Sequence, residues 1–350
     1  MAVNREPLRI AQALAGASEG GAEKFFTRLA TGLQRTGAIA QKAFIRGHHH
    51  RLESLKNGGV TAEGFRFGGP LHQIDHFRFR RALRAFHPDI VLTWMSRASI
   101  LTPPGDYTLV SRLGHYYNLK YYRHADYWIG ISKGICDHLV RGGMPAERIF
   151  HIPNFADEAE VSPLPRDSFD TPTDCPLLLA AGRLHRNKGF DTLLRAFSRV
   201  PEGILWLAGS GPEEKALKSL CEELGLTERV RFLGWRDDVT ALMSTVDIFI
   251  CPSRHEGLGS VVVEAWAHGC PIIATASQGP AELIDSGVTG IVTPIDEPGA
   301  LADAINKLVI DEAARYQLAE EARSHYWKKF SREVIVEQYL QLFRQVGRAA

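Results

Sequence analysis

Along most of the chain, short runs of apolar and β-branched residues alternate with longer stretches in which apolar side chains recur every three or four positions. The first kind reads as buried strands, the second as amphipathic helices. Strands are predicted at Leu8–Ala15, Asp89–Trp94, Tyr107–Leu113, Ala125–Ser132 and Arg148–Asn154. Helices are predicted at Ala22–Thr36, with Phe25, Phe26, Leu29 and Leu33 inward, and at His76–His87 and Lys133–Arg141. Residues 157–176 break this rhythm; they are rich in acids and proline and carry no period, as a linker does. A second series follows, with strands at Leu177–Ala181, Ile204–Ala208, Val230–Trp235, Val246–Pro252, Pro271–Thr275 and Gly290–Thr293. Its helices include Phe190–Val200, 298–309, 312–328 and Ser331–Gly347. Alternation of this kind, without hairpin dipeptides, predicts an α/β fold of two Rossmann-like, doubly wound parallel-sheet domains facing across a cleft. A chain of 350 residues is also long for one core. The boundaries read from the pattern are 1–156, a linker at 157–176, and 177–330.

Candidate chemistry gathers in two turns of the second series. Between Cys251 and Gly269 a strand stopped by Pro252 opens into a Gly-rich turn, and Ser260 is placed to cap a helix through His268. The carboxyl end of a strand is where open α/β sheets bind ligands. A helix start there offers unpaired amides and about half a positive charge, suited to phosphate. Two carboxylates, Glu256 and Glu264, bracket the turn, with Leu258, Gly259 and Ser260 between them. Acids would repel a bare phosphate, so the ligand should carry hydroxyls as well. Ser260, Glu264 and His268 fall four apart and form a polar stripe, while Val262, Val263 and Trp266 can pack. The other turn runs from Gly182 to Gly189 and holds Arg183 and Lys188 before a helix. A planar guanidinium and a compact ammonium on one glycine-edged loop make a diphosphate clamp. Gly20 and Gly21 follow the first strand in another flexible turn, and Gly209 and Gly211 follow Ile204–Ala208. His115 stands just beyond the strand that ends at Leu113, where Arg112, Tyr116 and Tyr117 are alternatives to it.

Composition narrows the classes. The overall charge of +1 hides 21 Lys and Arg against 11 Asp and Glu through Asn154, and 20 against 29 thereafter. The basic half carries no nucleic-acid-binding module, so nucleic acid is not expected. A phosphorylated acceptor or an anionic membrane surface fits the charge better, the plain alternative being a solvated face. The basic helix His76–His87 is the candidate face. No run reaches the ~18 apolar residues of a membrane span, and no signal-peptide pattern opens the chain. Five scattered cysteines without Cys-x-x-Cys spacing read as reduced packing residues, and a cytoplasmic location is expected. His48, His49 and His50 read as a polar loop rather than a metal site, and Met95–Arg97 as a polar turn. A Gly-x-Gly-x-x-Gly is absent from both domain starts, which argues against a dinucleotide cofactor.

The Cys251–Gly269 stretch closely resembles the Glu-x7-Glu signature of retaining glycosyltransferases of the GT-B fold, the group 1 family. The resemblance is strongest between Leu177 and Pro294 and more diffuse before Ile149. It implies transfer of a sugar from a nucleoside-diphosphate donor to a glycan or lipid-linked acceptor of a bacterial envelope polysaccharide or lipopolysaccharide, at the cytoplasmic face of the membrane. No further cofactor is implied. By the same resemblance Arg183 and Lys188 meet the donor diphosphate with the amides at Leu258–Ser260, Glu256 the donor sugar, and Glu264 the ribose. Gly20 and Gly21, Gly182, Gly209 and Gly211 line the donor turns, Arg236 lies beside the base, and His115 touches the donor sugar. The last helix, within 331–350, would cross back onto the first domain. No Asp-x-Asp is present, so the two cations would replace a metal, and none is expected. The alternatives are a sugar-nucleotide epimerase or hydrolase of the same fold, or a non-catalytic sugar-nucleotide-binding protein.

Overall fold

The strands of the computed structural model fall into two sheets, and the residues described are 6–18, 20–68 and 72–347. Among those residues the first sheet holds β1 (Leu8–Leu14), β2 (Ile39–Arg46), β3 (Thr61–Phe65), β4 (Ile90–Trp94), β5 (Thr108–Leu113), β6 (Tyr127–Gly130) and β7 (Ile149–His151). They run parallel in the order β3-β2-β1-β4-β5-β6-β7. Between them lie α1 (Gly21–Arg35), α2 (His49–Asn57), α3 (His72–Phe86), α4 (Met95–Leu101) and α5 (Lys133–Arg141). The second sheet holds β8 (Leu177–Ala181), β9 (Ile204–Ala208), β10 (Val230–Gly234), β11 (Ile248–Cys251), β12 (Ile272–Thr275) and β13 (Ile291–Thr293). Its parallel order, β10-β9-β8-β11-β12-β13, repeats the first six places of the first sheet, and β7 has no counterpart among the described residues. Its helices are α6 (Phe190–Phe197), α7 (Glu214–Glu223), α8 (Val239–Met243), α9 (Ser260–Ala267), α10 (Gln278–Leu283), α11 (Pro298–Ile310) and α12 (Glu312–Lys329). The final helix, α13 (Arg332–Val346), packs on α1 and belongs to the first compact unit, which otherwise ends at Asn154; the second unit is Phe155–Ser331. The expected pair of Rossmann-like parallel sheets is therefore what the chain forms.

The strands read as unbroken apolar runs because helices cover both faces of each sheet. Their side chains nonetheless alternate. Leu178, Ala180, Leu205, Leu207, Ile248 and Ile250 enter one core with α6, α7 and α11. Leu177, Leu179, Trp206, Phe249 and Cys251 enter the other, with Trp266 of α9 and Tyr326 of α12. This two-residue period is what a pleated strand imposes.

Several local expectations are corrected. His49 and His50 open α2 rather than a loop; only Arg51 and Leu55 of that helix are buried, so its apolar period is too sparse to see. Met95–Arg97 is the first turn of α4, since Met95 takes a left-handed φ of 69° and turns the chain into a helix without intervening turn residues. Ser260 is not the cap of α9: Gly259 holds that place at φ 75°, and Ser260 is the first helical residue. α3 begins at His72, ahead of His76.

Two half-buried histidines in the second unit bear on stability. His325 packs its ring against Trp266 and Phe330, at 5.2 and 5.6 Å between centroids. His268 caps α9, and its Nε2 lies 3.0 Å from the Asp157 carbonyl. Burial is the main cause that lowers both from the ordinary histidine value of 6.5. The unfolded chain therefore takes up these protons first as pH falls, and stability is lost on the acid side of 6.5. Melting temperature should fall from pH 7.5 to 5, and less steeply in H268Q/H325Q; equal slopes would remove these histidines as the cause.

Candidate active site

The two turns singled out from the pattern stand at the carboxyl ends of β8 and β11. These strands are neighbours at the point where the second sheet's order reverses, since β8 has β9 on its other side. Loops diverge there and leave a crevice. The Gly182–Gly189 loop is laced to the turn after β9: the amide of Gly182 donates to the Ala208 carbonyl (2.9 Å) and that of Leu184 to Ser210 (3.0 Å). This close approach explains both glycines of that turn. A Cβ on Gly209 would lie 1.8 Å from the Gly182 oxygen, and one on Gly211 would lie 2.3 Å from the Leu184 oxygen. A single 3-10 turn, Arg186–Lys188, then brings Lys188 round, and Gly189 continues into α6 at φ 64°. The Lys188 stem passes over Gly182, whose absent Cβ would lie 3.5 Å from Cε.

Lys188 and Glu256 meet. The Lys188 ammonium donates to Glu256 Oε1, which also accepts from Ser253 Oγ at 2.9 Å. Glu256 is thereby aimed by a serine whose own carbonyl accepts from Thr275 Oγ1 at 2.5 Å. Its carbonyl accepts from the Gly279 amide at 2.9 Å, and a Cβ on Gly279 would strike the Leu258 backbone at 2.2 Å. Leu258 is buried, and Gly259 and Ser260 begin α9 beside it. Glu264 lies one turn further on, half-buried, on the stripe it shares with Ser260 and His268. Arg183 is exposed, and among the described residues its guanidinium has no hydrogen-bond or ionic partner. A cationic loop, a helix start and an aimed carboxylate thus share one edge of the second sheet.

Arg254 is the residue that sequence reasoning misses. Its guanidinium donates to Asp191 (2.9 and 2.8 Å), Asp296 (2.7 and 2.9 Å) and the Arg186 carbonyl (2.6 Å). The amide of Arg254 also donates to the Asn187 carbonyl at 2.8 Å, so this one residue ties the Glu256 turn to the Lys188 loop. Its hydrogen bonds hold the Asp296 carboxyl below the usual carboxylate range. At Asp191 burial works the other way, and Arg254 more than offsets it. A basic residue two before Glu256 was the available signal, but its acidic partners lie 63 and 42 positions away.

Other expected site residues have structural engagements. Arg236 is paired with Asp238 at 2.8 and 2.5 Å and lies over the Phe169 ring. In the first unit, Gly20 caps α1, and the space above it and above Gly16 is filled by the Glu23 carboxylate, which accepts from the Ala17 amide at 2.8 Å. Gly21, the first residue of α1, faces open space. His115 is exposed just past β5, its ring 6.0 and 5.9 Å from those of Tyr116 and Tyr117. Arg112 is buried between Phe25 and Trp94 and donates to Tyr339 and Asn154, which commits it to packing. All five cysteines are free; burial raises Cys251 to about 11 and Cys270 to about 12, which leaves both as unreactive thiols.

The family whose model matches this chain is described as glycosyl transferases group 1, over residues 163–325. The lipopolysaccharide core biosynthesis glycosyltransferase LpsE of Rhizobium meliloti (strain 1021) is 36% identical over 328 residues, 93% of this chain and 96% of that protein. LpsD of the same organism, also a lipopolysaccharide core biosynthesis glycosyltransferase, is 34% identical over 329 residues, 93% of this chain and 95% of its own length. Among solved structures, Anabaena Alr3699/HepE in complex with UDP and glucose matches with a TM-score of 0.83 over 97% of this chain and 100% of that one, at 23% identity.

Proposed function

Since the chain belongs to the group 1 glycosyl transferases, we propose that it moves a sugar, with retention and without a metal, from a nucleoside diphosphate to a lipopolysaccharide-core acceptor. The observation that carries this reading is the Lys188–Glu256 pair at the switch point of the second sheet, with Arg183 exposed on the same loop. As the bond from the sugar's anomeric carbon to the diphosphate breaks, the leaving oxygen takes the electron pair. Fixed positive charge aimed at that oxygen lowers the barrier. Arg183, Lys188 and the amino end of α9 supply it.

In the free protein Lys188 is held by Glu256. An arriving diphosphate competes for the ammonium, and the released carboxylate turns to the hydroxyls of the donor sugar. Glu264 takes the ribose, and His115 meets the transferred sugar from the first unit. The second unit holds the donor and the first the acceptor, whose hydroxyl oxygen bonds to the anomeric carbon and passes its proton to the leaving diphosphate oxygen, so that an alcohol enters and a glycoside leaves. That Alr3699/HepE is solved with UDP and glucose, and that LpsE and LpsD act in lipopolysaccharide core synthesis, supports the donor and acceptor classes.

The decisive test is a thermal-shift panel of nucleoside diphosphates and their sugars, followed by turnover with and without acceptor, and with chelator. A ligand at a hundred times its dissociation constant adds about 2.7 kcal/mol. One base should stand out, and product should require acceptor. No shift with any of them would overturn the reading; a new sugar nucleotide made without acceptor would point to the epimerase.

We place the chain at an anionic membrane surface through α3. Ile74 and Phe77 are 60% and 66% exposed there, on a helix that also exposes Arg78, Arg81 and Arg84. Among the described residues no helix is long and apolar enough to cross a membrane. Liposomes with anionic lipid should sediment the protein, and Phe77→Asp should leave it in the supernatant. Equal binding to neutral liposomes would sink this placement.

A further inference from the structure

A cavity of about 1270 Å³ opens in the first unit at the carboxyl ends of β2, β3 and β4. Four arginines from four different segments line it. Arg46 is the last residue of β2, Arg66 follows β3, Arg78 comes from α3 and Arg97 from α4. Among the described residues none of these guanidiniums has a hydrogen-bond or ionic partner, although Arg78 lies over the Phe65 ring at 5.8 Å. Of the four, Arg46 is half-buried and Arg66, Arg78 and Arg97 are exposed, so their guanidiniums are open to a ligand; the half-buried Arg166, Arg236 and Arg254 are paired with Asp247, Asp238 and Asp191. Among the described residues one carboxylate lines the cavity, that of Asp75, and it is already engaged. It is buried and accepts from the amides of Arg66 (3.0 Å to each oxygen) and Phe67 (2.8 Å), which fixes the loop; its single negative charge leaves the four arginines in excess. Four like charges around one concavity repel one another, and an anion relieves that repulsion. A guanidinium fork fits phosphate and carboxylate oxygens in pairs, which a lysine does not. The apolar part of the lining, Phe65, Ile100 and Tyr121 among it, suits the carbon faces of sugar rings. The volume exceeds the roughly 300–1,000 Å³ of ordinary small-ligand sites, enough for more than one ring.

We propose that this cavity is an acceptor subsite that recognises phosphate or carboxylate groups on the glycan through Arg46, Arg66, Arg78 and Arg97. The assignment rests on the reading of the chain as a glycan-modifying transferase, and it adds that the acceptor must be anionic.

The test is calorimetric binding of a lipopolysaccharide core oligosaccharide, freed of its acyl chains, to the full chain. Three forms are compared: untreated, stripped of phosphate, and carboxyl-reduced. The untreated form should bind, and one treatment should weaken it at least tenfold, which tells phosphate from carboxylate. R46Q/R97Q should weaken the untreated form about tenfold or more, about 1.4 kcal/mol for each factor of ten. The same variant should bind the neutralised form as wild type does, keep its melting temperature, and shift as wild type does with UDP. Equal affinity of wild type for all three forms, or no binding of any, would overturn the subsite even if the variant failed to fold. Wild type that binds the charged glycan but no nucleoside diphosphate would keep the subsite and overturn the transferase reading.

Discussion

Lys188→Ala is expected to lower turnover by about 10²–10³-fold, the usual cost of removing one fixed donor from a developing oxyanion. In the proposed reaction the ammonium has two roles, and the variant loses both. It would no longer neutralise the leaving diphosphate, and it would leave Glu256 with Ser253 Oγ as its remaining side-chain donor among the described residues. An unpaired carboxylate beside the phosphate path repels the donor, so KM should rise as kcat falls. K188A/E256Q separates these contributions: removing the repulsion should restore KM and leave kcat low. Arg183→Ala should show a comparable fall in kcat with an unchanged melting temperature, because its exposed side chain has no protein partner among the described residues. Steady-state kinetics decide the matter, and turnover within threefold of wild type for either single variant would remove the clamp.

Gly189→Ala should damage the same site without touching a charged group. The backbone at Gly189 is left-handed, φ 64°, which costs any residue with a Cβ roughly 1–2 kcal/mol. The methyl group would also lie 2.0 Å from the Pro252 carbonyl oxygen, well inside contact distance. The Lys188 loop and the Glu256 turn touch at this point, so relief of the overlap must part them by about an ångström. A displacement of that size at a reacting centre costs on the order of 10²-fold in rate. Gly225→Ala is the control, since Gly225 has a similar φ of 68° with nothing within 4 Å of its absent Cβ. It should show a modest loss of melting temperature and normal turnover. If the two alanine variants turn over alike, the overlap is not what matters at Gly189.

How far the sequence could be read depended on where local pattern and tertiary role coincide. Lys133–Arg141, Leu177–Ala181 and Ile204–Ala208 are read to the residue, because a capping Ser132 or a fully apolar run marks each of them. β2 and β3 go unread. β2 carries Gln41 and Lys42 inside its run, and Gln41 is buried only because it exchanges hydrogen bonds with Gln12 and the Ala30 carbonyl. β3, with one buried residue in five, sits at the sheet edge. The cationic and Glu-bracketed turns are legible because glycines punctuate them. The reason for those glycines is not, because Gly209 faces Gly182, Gly189 faces Pro252 and Gly279 faces Leu258, contacts that exist only once the sheet has formed. Arg254 escapes notice for the same reason, and so does the arginine-lined cavity, whose four members are spread from Arg46 to Arg97.

α13 also sets an order of events during synthesis. It completes a unit whose other elements end at Asn154, yet it leaves the ribosome only after Phe155–Ser331 has been made. At translation speeds of about 5–20 residues per second, that interval lasts roughly ten to thirty-five seconds. Throughout it, the groove at Gly32, where Val336 later packs, has no cover. The nascent chain should therefore spend that time as a client of holdase chaperones, and ribosomes stalled before Ile335 should carry a sticky first half.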